Sequence, residues 1–252
     1  MLKTWAGVYV IAMDVLPHRW DLVPSEAIVL QHQLARLVVH HTRGSALRTV
    51  AGVDVSYRDG WAYAVAVVFS YPELRFLEYA RARRRLTFPY VPGLLSFREG
   101  PAVLDVVAAL KAPPDMLMFD GHGVAHPRRF GLASHIGVIL DIPSVGCAKT
   151  KLCGEYAEPG VQRGDYSYLV DRGETVGAVV RTRAKVKPVF VSIGHCVDLG
   201  TSVAVVLKCC DRYRLPEPAR WADLLTKGTS AQAREGLRSL IAARTIQIQS
   251  PV

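Results

Sequence analysis

Three consecutive runs of β-forming residues constrain the fold of this chain more than any other feature. They cover residues 47–57, 61–69 and 76–85 and are rich in valine, alanine and aromatic residues. Arg58-Asp59-Gly60 separates the first two runs, and an Asp-Gly pair between apolar runs is a hairpin signal. The pattern therefore predicts a meander of three antiparallel strands.

Strand and helix patterns alternate along the rest of the chain. Short apolar runs predict strands at residues 116–119, 144–148, 166–170, 176–183 and 189–193. Apolar spacing and start signals predict helices that begin at Pro24 and Ser96 and others that cover 129–140 and 199–210. Because strands that alternate with helices usually pair in parallel, we predict an α/β fold with one mixed sheet flanked by helices.

The length and charge of the chain bear on its organisation and on its partners. Half of the 252 residues are hydrophobic, which is enough for one substantial core. We therefore assign residues 1–226 to a single domain and 227–252 to a C-terminal tail that is weakly structured or helical. The net charge of +9 favours a polyanionic partner such as nucleic acid or an acidic membrane surface.

The cysteines and apolar segments argue against secretion and membrane insertion. There are five cysteines, an odd number without a Cys-x-x-Cys pair, which is typical of reduced thiols in a cytosolic protein. The apolar run at residues 7–13 is short, is followed by Asp14, and precedes no small-residue cleavage site. No stretch reaches the ~20 apolar residues that a membrane span needs. We expect a cytoplasmic protein with no membrane partner.

Three acidic residues stand where a carboxylate is costly or faces a cleft. Asp54 lies among valines inside the first β run, where an unpaired buried charge is expensive. Asp120 ends the apolar run 116–119, and α/β sheets open their clefts at the carboxyl ends of strands. Glu99 is the last residue of Ser96-x-x-Glu99, which also has the form of a helix capping box.

Each of these acids has an ordinary alternative role. Asp54 fits a solvent-facing strand edge or an ion pair, Asp120 fits an Asp-Gly turn, and Glu99 fits the helix cap. Together they can converge on one or two hard cations, and such oxygen ligands select Mg²⁺ or Mn²⁺ over zinc. Two such ions ~3.5–4 Å apart stabilise the attacking and leaving oxygens of phosphodiester hydrolysis. Spacing alone leaves the convergence open.

Six segments of the chain resemble the signature segments of the endonuclease V family. Three of them contain the acidic residues: 53–57 (VDVSY), 89–99 (PYVPGLLSFRE) and 120–129 (DGHGVAHPRR). Three more follow in the order of the family: 146–154 (GCAKTKLCG), 192–195 (SIGH) and 214–218 (RLPEP). The matches span roughly residues 20 to 225, and the long Pro-Tyr-x-Pro-Gly string is highly specific.

The resemblance implies an RNase H-like core and a DNA-repair activity. The implied reaction is hydrolysis of the second phosphodiester bond on the 3′ side of inosine (deaminated adenine), leaving 3′-hydroxyl and 5′-phosphate ends. Asp54, Glu99 and Asp120 would bind Mg²⁺, with Mn²⁺ as a substitute. His195 would lie beside the metal site and Lys149 near the scissile phosphate. Inosine-containing DNA is the implied partner, with RNA as a second possibility, and we expect a monomer.

The resemblance also implies residues that recognise the deaminated base. Tyr90 would be a wedge that enters the base stack, on a backbone held stiff by its neighbours Pro89, Val91 and Pro92. The flipped base would enter a pocket lined by Gly93, Leu95, Gly121, Leu132 and Leu152. His126 and Arg128 are candidates to contact phosphate or to support the loop. His122 stands where the family more often has glutamine or asparagine, and it can add charge at low pH.

Two rows of basic residues alternate with other residues at a period of two. The first row is Arg81, Arg83 and Arg85, and the second is Arg181, Arg183, Lys185 and Lys187. This period places each row on one face of a strand. A solvated sheet face is the ordinary interpretation of such a row, and the alternative hypothesis is that one row binds a nucleic-acid backbone.

Two other functions remain open at this point. Another RNase H-like nuclease, such as a junction resolvase or a ribonuclease, shares the acidic cluster but does not need the Pro-Tyr-x-Pro wedge. A module that binds inosine without cutting it does not need the carboxylates. All three carboxylates are present, which favours the nuclease.

Overall fold

An eight-stranded β-sheet forms the centre of the computed structural model, which describes residues 16–43, 46–227, 235–240 and 242. The strands are β1 (Thr49–Arg58), β2 (Trp61–Ser70), β3 (Phe76–Arg85), β4 (Met116–Phe119), β5 (Ser144–Ala148), β6 (Tyr166–Asp171), β7 (Glu174–Val180) and β8 (Val189–His195). The longer helices are α1 (Pro24–Ala35), α2 (Leu95–Ala108), α3 (Leu132–Leu140), α4 (Leu199–Cys209) and α5 (Glu217–Thr226). The apolar run at residues 7–13 lies outside the described residues.

The sheet has the strand order β3-β2-β1-β4-β5-β8-β7-β6. The β1–β2 and β2–β3 pairs are antiparallel, which confirms the predicted meander. The β1–β4 and β4–β5 pairs are parallel, and β8, β7 and β6 continue the sheet in antiparallel pairs. The prediction of an α/β fold with an RNase H-like mixed sheet is therefore confirmed.

Helices cover both faces of the sheet, and side chains of β1 pack against the helices on each face. Its residues Ala51 and Val53 face the cluster that α2 and α3 form with the sheet. Its residue Val50 faces the opposite cluster, which includes α4 and the start of α5. Because side chains alternate along a strand, Asp54 lies on the same face as Val50 and therefore on the side of α5.

Helix α5 was not predicted, although its sequence carries a start signal. Pro216-Glu217-Pro218 indicates that the preceding helix ends there, and the structure shows that α5 begins at Glu217. Proline is well tolerated in the first turn of a helix, because its missing N–H has no partner there. Helix α4 already ends at Cys209, so this segment is the start of α5 and not the end of α4.

Close backbone packing fixes α5 on the sheet. A Cβ atom added at Gly52 of β1 would lie 2.0 Å from the carbonyl carbon and oxygen of Pro218. Only glycine allows this approach. Further along α5, Ala222 and Leu225 pack with Val65 of β2 in a separate hydrophobic cluster. These contacts hold the C-terminal half of α5 over β1 and β2.

The predicted capping box at the start of α2 is wrong. The helix begins one residue earlier, with Leu94 at the cap position and no side-chain cap. Ser96 is 2% exposed, and its hydroxyl lies 2.8 Å from Nδ1 of the fully buried His135. The side chain of Ser96, which the pattern assigned to the cap, therefore bonds to His135 of α3 instead. Glu99 has no capping role.

The prediction that the second basic row lies on one face of a strand is also wrong. Strand β7 ends at Val180, and Lys185 has a left-handed backbone with φ of 59°, so residues 181–187 do not form one strand. Arg181 is 7% exposed and donates hydrogen bonds to the carbonyls of Gly160 and Pro159. Its guanidinium holds a loop together and does not face solvent. The first row does lie on one strand, the edge strand β3.

Part of the predicted tail packs against the domain. Residues 235–240 are helical, and Leu237 and Leu240 contact the cluster that α5 forms with β2. Residues 228–234, 241 and 243–252 of that tail lie outside the described residues, and the boundary at 226 stays a prediction. Among the helices described, none is long and apolar enough to cross a membrane.

Gly52→Ala tests whether close packing of α5 stabilises the fold. The added methyl group meets the Pro218 backbone, and overpacking of this kind costs ~1–3 kcal/mol. We expect the free energy of unfolding in urea to fall by that amount. Gly121→Ala is the control, because its Cβ would meet no atom within 4 Å. Equal stability of the two variants would contradict the packing role of Gly52.

Candidate active site

Three aspartates that are far apart in sequence converge at the carboxyl ends of β1 and β4. Asp54, Asp120 and Asp223 each offer a carboxylate oxygen, and these atoms all lie within 4.8 Å of one another. The parallel pairing of β1 and β4 matches Val53 to Phe119, so Asp54 and Asp120 are the next residues on adjacent strands. Asp223 comes from α5, which packs on the face of the sheet that carries Asp54.

Lys149 supplies the positive charge nearest to this group. It follows the end of β5, and its ammonium group is ion-paired with Asp120. The same Nζ lies 3.6 Å from Oδ1 of Asp223. Burial alone lowers the pKa of Lys149, but the hydrogen bond and charge of Asp120 outweigh burial and raise it. Lys149 therefore stays charged in the site at physiological pH.

Asp54 is held in a site that disfavours its charge. Thr226, the last residue of α5, donates a hydrogen bond from Oγ1 to Oδ2 of Asp54 at 2.6 Å. Burial raises the pKa of Asp54 to about 6, and the neighbouring charges of Asp223 and Asp120 act in the same direction. Three carboxylates share one lysine, so the group carries a surplus of negative charge. Such an oxygen-rich, electron-rich group fits a divalent cation.

Glu99 adjoins the aspartates but does not belong to the compact group of three. It is 8% exposed on α2, and the hydroxyl of Tyr57 donates a hydrogen bond to its Oε1. Burial raises the pKa of Glu99 to about 7, and the charges of Asp54 and Asp120 add to this. The structure thus places Glu99 within electrostatic reach of the aspartates. Asp223, which the sequence analysis did not identify, completes the compact group, and the metal role predicted for Glu99 stays a prediction.

His195 lies at the opposite end of the sheet from the aspartates. It ends β8, which is antiparallel to β5, and pairs with Ser144 at the start of β5. Lys149 follows the other end of β5, roughly 15 Å away at ~3.3 Å per residue. Nε2 of His195 lies 3.0 Å from Oδ1 of Asp141, and Nδ1 accepts the backbone N–H of Val39 at 3.2 Å. The prediction that His195 lies beside the metal site is wrong.

The wedge candidate Tyr90 extends into solvent from the loop of residues 89–94, which we call the wedge loop. Its side chain is 70% exposed, whereas Phe88 and Leu94 on either side are 3% and 0% exposed. Nη1 of Arg98 donates to the carbonyl of Phe88 at 2.6 Å and fixes the start of the loop. An aromatic ring on a rigid, protruding loop can enter a base stack without a large loss of freedom.

A buried polar network fixes the other end of the wedge loop. The carbonyl of Gly93 accepts from Nε2 of Gln31 at 3.0 Å and from Nη2 of Arg128 at 2.7 Å, and Nε2 of His126 lies 3.1 Å away. Gly93 has φ of 78°, a left-handed backbone that favours glycine. Gln31 also donates to Phe130 and accepts from Arg128. One buried amide therefore joins α1, the wedge loop and segment 126–130.

The two predicted phosphate contacts, His126 and Arg128, are both engaged in this network. Burial and, to a smaller extent, the charge of Arg128 lower the pKa of His126 to about 4, so the ring is neutral at pH 7. Arg128 retains its charge, and its contacts are directed to the loop. The geometry supports the loop-holding role that the sequence offered as the alternative to phosphate contact.

The predicted base-pocket residues differ in accessibility. Gly121, next to Asp120, has open space where a Cβ atom would lie, and Leu152 is 45% exposed. Leu95 is half-buried, while Leu132 is 8% exposed and packs in the main core. Among the described residues, Nδ1 of His122 has no hydrogen-bond partner.

Burial determines the charge of His122, the residue that departs from the family pattern. It lowers the pKa of this ring, and the nearby charge of Asp120 does not reverse that direction. His122 is therefore neutral at physiological pH. The charge that the sequence analysis suggested for His122 at low pH stays a prediction.

Sequence reasoning missed Asp223, Thr226 and Gln31. Asp223 and Thr226 lie on α5, which was not predicted, in a segment without any string that suggests a site. Gln31 is a polar residue on the buried face of α1, and that position within the apolar spacing is a signal for a specific hydrogen-bonding role.

An acidic group on β1 and after β4, in a sheet with the order β3-β2-β1-β4-β5, defines the RNase H-like class of nucleases. Within this class, the family model described as Endonuclease V matches residues 32–224. Endonuclease V of Roseiflexus sp. (strain RS-1) is 52% identical over 206 residues, which are 82% of this chain and 93% of that protein. The chain belongs to the endonuclease V family and is a nuclease.

Solved structures of the family share the whole fold. The crystal structure of Endonuclease V from Streptomyces avermitilis matches with a TM-score of 0.79 and 40% identity, over 90% of this chain and 99% of that one. The Ciona intestinalis Endonuclease V matches with a TM-score of 0.72 and 29% identity, over 86% and 98%. That protein was crystallised with a 24mer DNA containing an inosine followed by a ribo-adenosine.

Gln31→Leu tests whether the buried amide holds the wedge loop. The change removes a donor from Gly93 and leaves Phe130 and Arg128 short of a partner, which costs ~1–3 kcal/mol. We expect faster amide hydrogen exchange in residues 89–94 and a lower free energy of unfolding. Gln33→Leu is the control, because Gln33 is exposed on the same helix. If both variants exchange at the wild-type rate, Gln31 does not hold the loop.

Proposed function

We propose that this protein is a Mg²⁺-dependent endonuclease that recognises inosine in nucleic acid and acts in DNA repair. It hydrolyses the second phosphodiester bond on the 3′ side of inosine and leaves 3′-hydroxyl and 5′-phosphate ends. The observation that carries the proposal is the convergence of Asp54, Asp120 and Asp223, with Lys149, in a member of the endonuclease V family.

The three aspartates are the residues that would hold the metal. Their oxygens lie close together, and burial together with the charges of Asp223 and Asp120 raises the pKa of Asp54 to about 6, as expected where carboxylates outnumber cations. Glu99 stands beside them as a further oxygen ligand. When bound, Mg²⁺ supplies a Lewis acid that polarises the phosphate and lowers the pKa of bound water, and Mn²⁺ is expected to substitute.

The surrounding residues position these carboxylates and balance their charge. Thr226 fixes one oxygen of Asp54 by its hydrogen bond, and Tyr57 does the same for Glu99. Lys149 contacts Asp120 and Asp223 from the end of β5, where its ammonium group can also neutralise the charge of a scissile phosphate. The positions of the carboxylates are thus fixed before a substrate binds.

Recognition of the base is assigned to the wedge loop and the space beside Gly121. Tyr90 is exposed on the loop, and stacking of its ring in place of a flipped base would be worth ~1–3 kcal/mol. The open side of Gly121 lets main-chain groups approach the base, next to the acidic group. The inosine-containing DNA bound by the Ciona intestinalis relative supports inosine as the recognised base.

Several further features belong to this proposal. The preferred substrate is inosine-containing DNA, with RNA as the second candidate, and matched DNA and RNA strands in one nicking assay compare them. The protein is proposed to act as a cytoplasmic monomer. A module that only binds inosine is disfavoured, because all of the carboxylates of a cutting site are present and grouped.

Neutralising the metal group tests the proposal. We expect Asp54→Asn and Asp223→Asn to lower Mg²⁺-dependent nicking of an inosine-containing strand by more than ~100-fold, beyond the 10–100-fold typical of an outer-shell partner. Binding of the strand should persist, because the wedge loop is intact. Tyr90→Ala should instead weaken binding by ~1–3 kcal/mol.

Asp211→Asn is the control for these variants, because Asp211 is exposed and outside the acidic group. Nicking is read on a denaturing gel, which also locates the cut relative to inosine, and binding is read by fluorescence anisotropy with Ca²⁺ in place of Mg²⁺. Wild-type nicking by Asp54→Asn or by Asp223→Asn would remove the metal assignment.

The stabilising effect of Mg²⁺ should depend on pH. Burial raises the pKa of Asp54 in the folded protein to about 6, above its ordinary value of 3.8, so its contribution to the stability of the metal-free protein is complete below pH ~4 and is lost as pH rises through 6. Mg²⁺ binds the deprotonated form. We expect a fixed Mg²⁺ concentration to raise the melting temperature more at pH 8 than at pH 5.5.

Asp54→Asn provides the comparison for this pH effect. Asparagine does not titrate, so the variant should lose the part of the pH difference that Asp54 contributes, while Glu99, whose pKa burial raises to about 7, keeps its own part. Calorimetric melting curves with and without Mg²⁺ give the shift directly. The same shift at both pH values in the wild-type protein would contradict the assignment of Asp54 to the metal site.

A further inference from the structure

A row of exposed arginines lies on the face of the sheet that carries Asp54. The pairing of β1, β2 and β3 aligns Asp54 with Val65 and Val65 with Arg81. Residues paired across a sheet point to the same side, so Arg81 shares the face of Asp54 at about 10 Å, two strand spacings of ~4.8 Å. Arg83 and Arg85 continue this row toward the end of β3.

Aromatic rings hold these arginines in place. The guanidinium carbons of Arg81 and Arg83 lie 5.3 Å and 5.2 Å from the ring centroids of Tyr79 and Trp61. Arg85 also lies over Trp61, at 6.0 Å. On β1, Arg58 lies 4.9 Å over the ring of Tyr63. Stacking restricts each side chain, so less freedom is lost when it binds an anion.

The arginines of this row have no carboxylate partner among the described residues. Arg84 provides the contrast, because it points to the other face and forms a 2.8 Å ion pair with Asp105 of α2. Four cations therefore face one side of the sheet edge without compensation. We define the basic track as Arg58, Arg81, Arg83 and Arg85.

The basic track is continuous with the acidic group. Val65 is buried beneath α5, which ends at Thr226, and the carbonyl of Thr226 accepts a hydrogen bond from Oγ of Ser56 at 3.0 Å. Ser56 and Tyr63 are half-buried there and connect Asp54 to Arg83 across the sheet. From Arg81 to Arg85 the track spans ~13 Å, the length of about four stacked nucleotides at ~3.4 Å each.

We propose that the basic track binds the phosphate backbone of the substrate strand where it leaves the active site. This rests on the proposed nuclease function and deepens it. Phosphate is the group that evenly spaced guanidinium groups bind best. The faces of Trp61 and Tyr63 are occupied by arginines and do not stack on bases. The track therefore contributes equally to strands with and without inosine, and to DNA and RNA.

The salt dependence of binding tests the track directly. Each phosphate contact contributes ~0.7 to the slope of log K against log salt for a single strand. We expect the Arg81→Gln/Arg83→Gln/Arg85→Gln variant to have a slope shallower by ~2 and a lower affinity, equally for strands with and without inosine. The measurement is fluorescence anisotropy on oligonucleotides across a salt series, without Mg²⁺.

Arg84→Gln is the matched control, because it removes the same charge from the same strand on the opposite face. It should leave the slope unchanged. Should the triple variant fail to fold in a thermal melt, Arg83→Gln alone is used, with an expected decrease of ~0.7. An unchanged slope, an equal decrease in the control, or a loss confined to inosine-containing strands would each overturn the proposal.

This experiment is independent of cleavage. If the wild-type protein does not nick at inosine while the track variant still flattens the salt slope, the proposed function fails and the track stands. If nicking at inosine is observed and the slopes do not differ, the track fails and the proposed function stands.

Discussion

The close contact between Gly52 of β1 and the Pro218 backbone of α5 is the constraint on which the site depends. It sets α5 against the sheet closely enough for Asp223 to reach Asp54 and for Thr226 to bond to it. The parallel pairing of β1 and β4 supplies the other half of the arrangement by placing Asp120 beside Asp54. A group assembled from residues 54, 120 and 223 thus follows from two backbone contacts.

Charge is distributed in a consistent way around this framework. Carboxylates crowd the ends of β1 and β4 with one lysine among them, whereas the arginines of the edge strand face solvent on the same side of the sheet. The acidic group suits a cation, and the arginine row suits a polyanion. A nuclease needs both, because its metal ligands would otherwise repel the phosphate on which it acts.

The sequence predicted most of the fold, because its signals there are local. The Asp-Gly turn and the alternation of strands and helices depend on neighbouring residues, and the mixed sheet was correctly inferred from them. The failures concern orientation and tertiary packing. His195 was placed beside the metal site by the family resemblance alone, whereas the antiparallel pairing of β8 with β5 puts it at the far end of the sheet. Ser96 was misassigned because a buried partner, His135, competes for its hydroxyl. The role of Asp223 depends on how α5 docks, which no local pattern reveals.

The turn at Asp59 and Gly60 has a consequence for the residues that precede it. Both residues have positive φ, 52° and 76°, as in the two-residue turns that set the register of a hairpin. Strand β1 presents Asp54 to one face and Tyr57, the partner of Glu99, to the other. A shift by one residue would exchange these faces and put valine in place of the carboxylate. Two turn residues outside the acidic group therefore decide which side chains each face of the strand offers.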